Sequence, residues 1–577
     1  MSSDGIDTHP EAATELSLPP NDATNFAALA AATTTTTIED DIIREDSSTV
    51  KTDNLTKSTN SSSRCDCCCG WWKFQGVAKA KGFSYATIGN GSILISNVFL
   101  SSSIIFLASQ EAGCIDATTG RLTECTTRVY GFLPSSLVNS IYGIASLIAA
   151  FGMPLFGAII DYTSHRRSVG RWLAFGLWLI QTIQIGTVSQ TWFAMAVLQA
   201  VAGVLFEFHF LLAVSYLPDI LRYEVSYETM NRFNRTFFGV QFGSQTFYLL
   251  VVMAVSTWIM GGWGSVRTAQ LGQGLSSATL LFVLPLAWTW FPAMPAKHKL
   301  AEGRSLMWEG FRQNYRTIAS IAKNHRPLKW FLITVALAEG GTTPLIPTMI
   351  TIMAQVYRYN SSNVGIGSLV ALVSALPGVL VGAISSRRYN PQVTQRANLG
   401  VLTVGTIVAA FIIEKNRRDK FLVQVTDGEI SYAGYAFSGM WGFLVGMYYA
   451  TQQLFFTACL PPKQEAELSG IYVYCTIILT WVPTVAGSIM LNSGAGPQWL
   501  LLPLVIFQAL AFVSSLMCPC WNVVQASAKD PLLLNMIMDR TRTDTFSYPE
   551  EDGSSAVRDL ALTDEETPVK DEQLANH

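Results

Sequence analysis

Long apolar stretches separated by short polar ones run through most of this chain. Between Trp172 and Phe206, and again between Leu468 and Ala528, there is no Asp, Glu, Lys or Arg. Each run exceeds the roughly 20 residues that an α-helix needs to cross the hydrocarbon core of a bilayer. Lipid offers backbone groups no water, so apolar segments of this length are read as helices that satisfy their own hydrogen bonds. Twelve fit with short connections, at 83–108, 131–160, 172–190, 191–216, 237–260, 268–291, 330–357, 363–386, 397–414, 433–458, 469–492 and 498–520. The expected fold is an all-α membrane protein with twelve transmembrane helices. Composition agrees: 14% of residues are charged and 50% hydrophobic, against about 25% charged in soluble domains.

The polar remainder divides the chain. Residues 1–82 read as a disordered cytosolic tail ending in a juxtamembrane Cys/Trp segment, because Ala28–Ala32, Thr33–Thr37 and Glu39-Asp40-Asp41 carry too little apolar surface to offset ordering entropy. Residues 83–291 and 330–520 form two six-helix bundles, 292–329 a basic linker, and 521–577 a second, acidic tail. The net charge of −3 and the absence of a basic stripe exclude a nucleic-acid partner.

Basic residues orient the spans. The linker holds Lys297, Lys299, Arg304, Arg312, Arg316, Lys323, Arg326 and Lys329 against Glu302 and Glu309. Arg166, Arg167 and Arg171 follow span two, and Arg387, Arg388 and Arg396 follow span eight. All fall on the side of the termini, which places both termini in the cytosol. Lys415, Arg417, Arg418 and Lys420 fall on the other side: either that loop is a tolerated exception or the ninth span is misplaced.

Cysteines add two expectations. Cys65, Cys67, Cys68 and Cys69 stand beside Trp71, Trp72 and Lys73. Adjacent cysteines cannot easily present tetrahedral ligands from one short strand, and a cytosolic tail is reducing. Palmitoylation is the favoured reading, with inert thiols as the alternative. On the opposite face Cys114 and Cys125 form a disulfide or remain free thiols, and Asn360-Ser361-Ser362 is a glycosylation sequon.

The two halves echo each other. Gly157-Ala158-Ile159-Ile160-Asp161 precedes Arg166-Arg167, and Gly382-Ala383-Ile384-Ser385-Ser386 precedes Arg387-Arg388. Such repeats characterise transporters in which one bundle rocks against the other, with the binding site near the midplane between them. Charges inside the membrane are costly and mark function; Glu207 and Glu339 are the two clear ones. Glu339-Gly340-Gly341, with Pro344 and Pro347, predicts a helix break, and Gly89-Asn90-Gly91 sits at similar depth in span one. Asn90 and Glu339 are therefore expected to face a substrate, with Glu339 carrying a proton or an α-amino group, or simply hydrogen-bonded between helices. Glu207 lines the cavity in this reading, and His209 is structural. Gln241 and Gln452 are further substrate contacts, with interhelical bonding as the alternative for all the span glutamines, including Gln181, Gln184 and Gln245. The aromatics Trp441, Tyr448, Tyr449, Tyr472, Tyr474 and Trp481 read as lipid-facing or packing material. Asp161, Arg166 and Arg167 form either a gating set or a topology determinant alone.

The Gly157…Asp161…Arg166-Arg167 spacing resembles the signature between spans two and three of the major facilitator superfamily. Tyr216-Leu217-Pro218-Asp219-Ile220 and Pro461-Pro462-Lys463-Gln464-Glu465-Ala466-Glu467 resemble segments of its autophagy-related vacuolar amino-acid effluxers, over about residues 80–520. The resemblance implies two pseudo-symmetric six-helix bundles and alternating access. It also implies export of neutral amino acids from a vacuole-like compartment to the cytosol after autophagic breakdown.

No Gly-rich phosphate loop, Gly-x-Ser-x-Gly elbow or His-Glu-x-x-His segment occurs, so neither an enzyme nor ATP-driven transport is indicated. No cofactor or metal is expected. Three readings stand: an amino-acid exporter, possessing a small-molecule substrate with or without coupled protons; a proton-coupled sugar or glycoside carrier; and a non-transporting nutrient receptor.

Overall fold

The computed structural model describes residues 77–115, 127–216, 227–260, 265–296, 299–300, 303–357, 359, 361–422, 432–460 and 465–529. Both tails lie largely outside this range, as do Cys65, Cys67, Cys68, Cys69, Cys125 and Asn360. Among the described residues no strand occurs, only an isolated bridge between Val129 and Phe132. Among the described residues, nine helices are long and apolar enough to cross a membrane.

The first half contributes α1 (Val77–Glu111), α2 (Pro134–Tyr162), α3 (Arg166–Ile183, with a 3-10 turn Gln184–Gly186), α4 (Trp192–Val214), α5 (Tyr227–Met260) and α6 (Ser265–Trp290). A linker helix α7 (Leu306–Asn324) follows. The second half contributes α8 (Arg326–Thr342), α9 (Leu345–Gln355), α10 (Ser361–Tyr389), α11 (Pro391–Leu422), α12 (Ala433–Cys459), α13 (Glu465–Ile477), α14 (Trp481–Asn492), α15 (Leu501–Leu516) and a short α16 (Trp521–Lys529). Three of the twelve crossings fall outside the nine. The third, α3, opens with three arginines; the seventh is broken into α8 and α9; the tenth, α12, is diluted by Gly, Tyr and Gln. All twelve expected spans are thus present. Helix α11 runs on through Lys415 to Leu422, so the basic segment there extends the ninth span and does not displace it. Helix α16 occupies the start of what reads from sequence as the C-terminal tail.

The halves repeat one packing scheme. Helix α1 packs on α6 as α8 packs on α15, and α3 packs on α6 as α11 packs on α15. Helix α2 meets α4 as α10 meets α12. The α10–α12 contact is the tightest. A Cβ on Gly378 would strike the carbonyl of Phe443, and one on Gly442 or Gly446 the carbonyls of Ala371 and Ala375. Gly382 lies against the Met447 carbonyl. Each helix therefore carries a Gly-x-x-x-Gly pair facing the other, which in lipid replaces the missing hydrophobic drive with close backbone packing. Between the halves α2 packs on α14 and α5 on α10 and α12, so a pathway between bundles is bounded by these contacts. Cys114, beyond α1, is disulfide-bonded.

Candidate functional site

The centre of the second bundle is built around the break in the seventh crossing. Gly340 and Gly341 weaken the helix and Pro344 lacks an amide donor, so α8 ends at Thr342 and α9 restarts at Leu345. The Gly341 carbonyl accepts a 2.8 Å bond from Gln508 Nε2 of α15, and both glycines pack so closely on Phe507 and Gln508 that a Cβ would clash. Glu339, 3% exposed, sits one turn before the break. Its Oε2 accepts from Thr343 Oγ1 at 2.9 Å and from the Tyr449 hydroxyl at 3.2 Å. Its Oε1 has no hydrogen-bond partner among the described residues, and the same holds for the Tyr448 hydroxyl and both amide atoms of Gln452. Tyr448 and Gln452 are fully buried, and Gln452 lies beside Glu339.

Across the bundle interface stands Glu207 of α4, within electrostatic range of Glu339. It is half-buried and makes no ion pair or hydrogen bond among the described residues. Phe238 of α5 stacks on Tyr449 with ring centres 6.1 Å apart. Gln241, one turn further along α5, is half-buried. The structure thus brings Glu207, Glu339 and Gln452 together. The aromatics expected to face lipid or pack are interior ones: Trp441 and Tyr448 are buried, and Tyr449 holds the central carboxyl. Tyr449 was not legible as a functional residue, since an aromatic in a span carries the same local signature whichever way it faces.

Asn90 behaves differently from expectation. Helix α1 runs unbroken through Gly89-Asn90-Gly91. These glycines permit close approach instead: Gly89 meets Leu284 of α6 and Gly91 meets Gln245 of α5. Asn90 Oδ1 lies 3.0 Å from His209 Nδ1, and Trp288 Nε1 donates to His209 Nε2 at 3.1 Å. Because Nε2 accepts, Nδ1 carries the hydrogen and donates to Asn90. The imidazole is neutral with both nitrogens matched, tying α1, α4 and α6 together. Gln181 works similarly, accepting from Ser96 Oγ at 3.0 Å and reaching Asn97 Oδ1 at 3.5 Å.

The two ends of the interface are closed by different chemistry. On the face away from the linker, Asn492 Oδ1 of α14 accepts from Leu133 N (3.1 Å) and Ser136 Oγ (2.9 Å) of the other bundle. Ser140 and Ser488 hydroxyls meet at 2.6 Å, and Asn139 Nδ2 donates to Thr351 Oγ1 at 3.2 Å. On the linker face α7 lies across α2, with Gly310 pressed on the Pro154 carbonyl. Asp161 Oδ2 accepts from Gln313 Nε2 of α7 at 3.3 Å. A cavity of about 40 Å³ remains there, between Asp161, Leu211, Gln313 and Tyr474. Arg166 is buried with its guanidinium 3.6 Å from the Tyr216 ring centre. Arg167 donates to the Trp288 and Thr289 carbonyls at 2.9 and 3.1 Å, capping the C-terminal end of α6. At the α7–α8 junction, burial holds the His325 imidazole below its ordinary pKa. Among the described residues no cluster of His, Cys, Asp and Glu is arranged to hold a metal.

A sequence profile described as the Major Facilitator Superfamily matches residues 83–480. No curated protein matches the chain. Among solved structures, the nucleoside transporter NupG is 14% identical, covering 77% of this chain and 100% of its own, with a TM-score of 0.49. The xylose transporter XylE from E. coli, in a partially occluded inward-open conformation, is 11% identical over 75% of this chain and 98% of its own, at 0.50. The human organic anion transporter MFSD10 is 12% identical over 76% and 99%, at 0.49. At 11% identity the likeness to XylE is one of fold.

Proposed function

Since the chain belongs to the Major Facilitator Superfamily, and is thus a multi-pass membrane transporter, we propose that it carries neutral amino acids by alternating access. The observation that carries this reading is the pair Glu207 and Glu339, two carboxyls in mutual electrostatic range with no cationic partner among the described residues. Charge in such a setting calls for a positive partner or a proton. The α-ammonium of an amino acid supplies the first. The unmatched amide of Gln452 and hydroxyl of Tyr448 are donors for its carboxylate, and Gln241 stands on the opposing wall. Asn90, bonded to His209, belongs to the scaffold of the first bundle and not to the substrate wall. A sugar can donate hydroxyls to the carboxyls but brings no positive charge to balance them.

Alternating access requires that the two closures break in turn. The Asn492 and Ser488 contacts close the face away from the linker; Asp161 on Gln313 is the latch of the linker face, with Arg166 and Arg167 fixing the start of α3 beside it. The excess of Lys and Arg in the linker and in the loops on its side supports a cytosolic linker and cytosolic termini. The resemblance in Tyr216-Leu217-Pro218-Asp219-Ile220 and in the Pro461–Glu467 block supports a vacuolar membrane and export toward the cytosol after autophagic degradation.

Counterflow in proteoliposomes tests the cargo. Vesicles preloaded with mixed amino acids are expected to accumulate labelled Leu or Tyr, and Glu339→Gln to abolish this. Accumulation of glucose or sucrose instead would transfer the protein to the sugar-carrier reading, and silence of folded protein toward every solute would leave a receptor.

A further inference from the structure

A second cavity lies on the outer surface of the first bundle, away from the path between bundles. Between α3 and α6 runs a groove of about 380 Å³, within the span of small-molecule sites, about 300–1,000 Å³. Ala174 and Trp178 of α3 and Leu284, Pro285 and Trp288 of α6 line it, with Arg171 at its rim. The groove faces lipid. Phe175 and Leu281 along its edges are 49% exposed each, and Phe282 beside them is 73% exposed.

Three arginines open α3, and the fold uses two of them: Arg166 stacks on Tyr216 and Arg167 holds the carbonyls of α6. Arg171 makes no ion pair, hydrogen bond or ring contact among the described residues. Its depth is marked by the exposed Trp172, and by Lys81 standing 4.6 Å from the ring centre of Trp290. Tryptophans and cations at one end of a span mark the headgroup level. An unmatched guanidinium at that level, above an apolar groove running toward the hydrocarbon, complements a molecule with an anionic head and a long chain. Guanidinium forks suit phosphate geometry better than ammonium groups do.

We propose that this groove holds one anionic phospholipid, its net-negative headgroup on Arg171 and one acyl chain along Trp178, Leu284 and Pro285. The occupant touches the inside of the bundle through Leu284, which packs on Gly89, and through Trp288. Trp288 forms the groove floor and donates to His209, which meets Asn90; Gly170 leaves no space for a Cβ beside its ring. A chain seated there restrains Trp288 and thereby the α4 helix that carries Glu207.

The test is native mass spectrometry of the full-length protein, titrated with dioleoyl phosphatidylserine and dioleoyl phosphatidylcholine. One tightly retained phosphatidylserine is expected, favoured over phosphatidylcholine by about tenfold, the value of one charge-assisted contact. Arg171→Gln, at an exposed position, should bring the ratio to about one, and Ala174→Phe should lower retention of both lipids by filling the groove. If Ala174→Phe fails to fold, Leu281→Trp at the rim serves the same purpose. Equal retention of the two lipids by the unmodified protein, or an undiminished preference in Arg171→Gln, would overturn the proposal. So would equal binding of chain-free glycerophosphoserine, which has no use for the groove, or an uncharged sterol taking the place of phosphatidylserine.

Discussion

Two buried polar clusters, one in each bundle, differ in how far their hydrogen bonds close. In the first, Asn90, His209 and Trp288 form a closed chain in which both imidazole nitrogens are matched. In the second, Glu339 Oε1, Tyr448 and Gln452 are buried with unmatched atoms. A closed network rigidifies a core, whereas a partly matched one is costly unless something else completes it. The difference separates these two clusters: the Asn90–His209–Trp288 chain keeps its polar groups to itself, whereas the cluster around Glu339 offers them, and Gln184, Gln199 and Gln273 of the first bundle each keep one buried oxygen unmatched among the described residues.

Breaking the open side has the largest expected effect. Glu339→Gln removes the charge while keeping the shape, and counterflow should fall at least about a hundredfold, as when one partner of a buried charge pair costs roughly 3 kcal/mol. Its melting temperature should stay near that of the parent, which detergent thermal-shift assays would read. A matching loss of stability would mean that Glu339 is scaffold after all. Gln452→Ala comes next, with KM rising about tenfold at little change in maximal rate, because a ground-state contact is removed. A fall in maximal rate with KM unchanged would place Gln452 outside the binding site.

The closed side should respond in the opposite way. His209→Ala leaves Trp288 and Asn90 unpaired and should lower stability by about 1–3 kcal/mol. Transport per folded molecule should remain within about twofold of the parent. An effect on KM comparable to that of Gln452→Ala would erase the distinction between the two clusters. Ser96→Ala, which removes one bond to Gln181, should cost only about 1 kcal/mol and leave KM unaltered; it calibrates the scaffold response.

Much of this was legible before any coordinates. The spans were, because lipid penalises an unmatched polar group so heavily that charge-free runs have one structural solution. The break after Glu339 was, since Gly340, Gly341 and Pro344 act locally. The orientation of Asn90 was not: its partner His209 is 119 residues away, and nothing local distinguishes a glycine that interrupts a helix from one that admits a neighbour. Gly89 and Gly91 do the latter and Gly340 and Gly341 do both. Tyr449 was illegible for a related reason, since the Glu339 it serves lies on another helix and span aromatics face lipid and core alike.

The interlocked glycines of α10 and α12 bear on how this gene can vary. Every missense change in a glycine codon adds at least one carbon, and at Gly378, Gly442 and Gly446 that carbon meets a carbonyl of the opposite helix. Neither side can yield without parting the two axes. A saturation screen scored on cell-surface or organelle abundance should therefore show these positions emptied of substitutions, though none of them belongs to the proposed site. Neighbouring codons whose side chains look outward, such as Ile384 and Val373, should accept many.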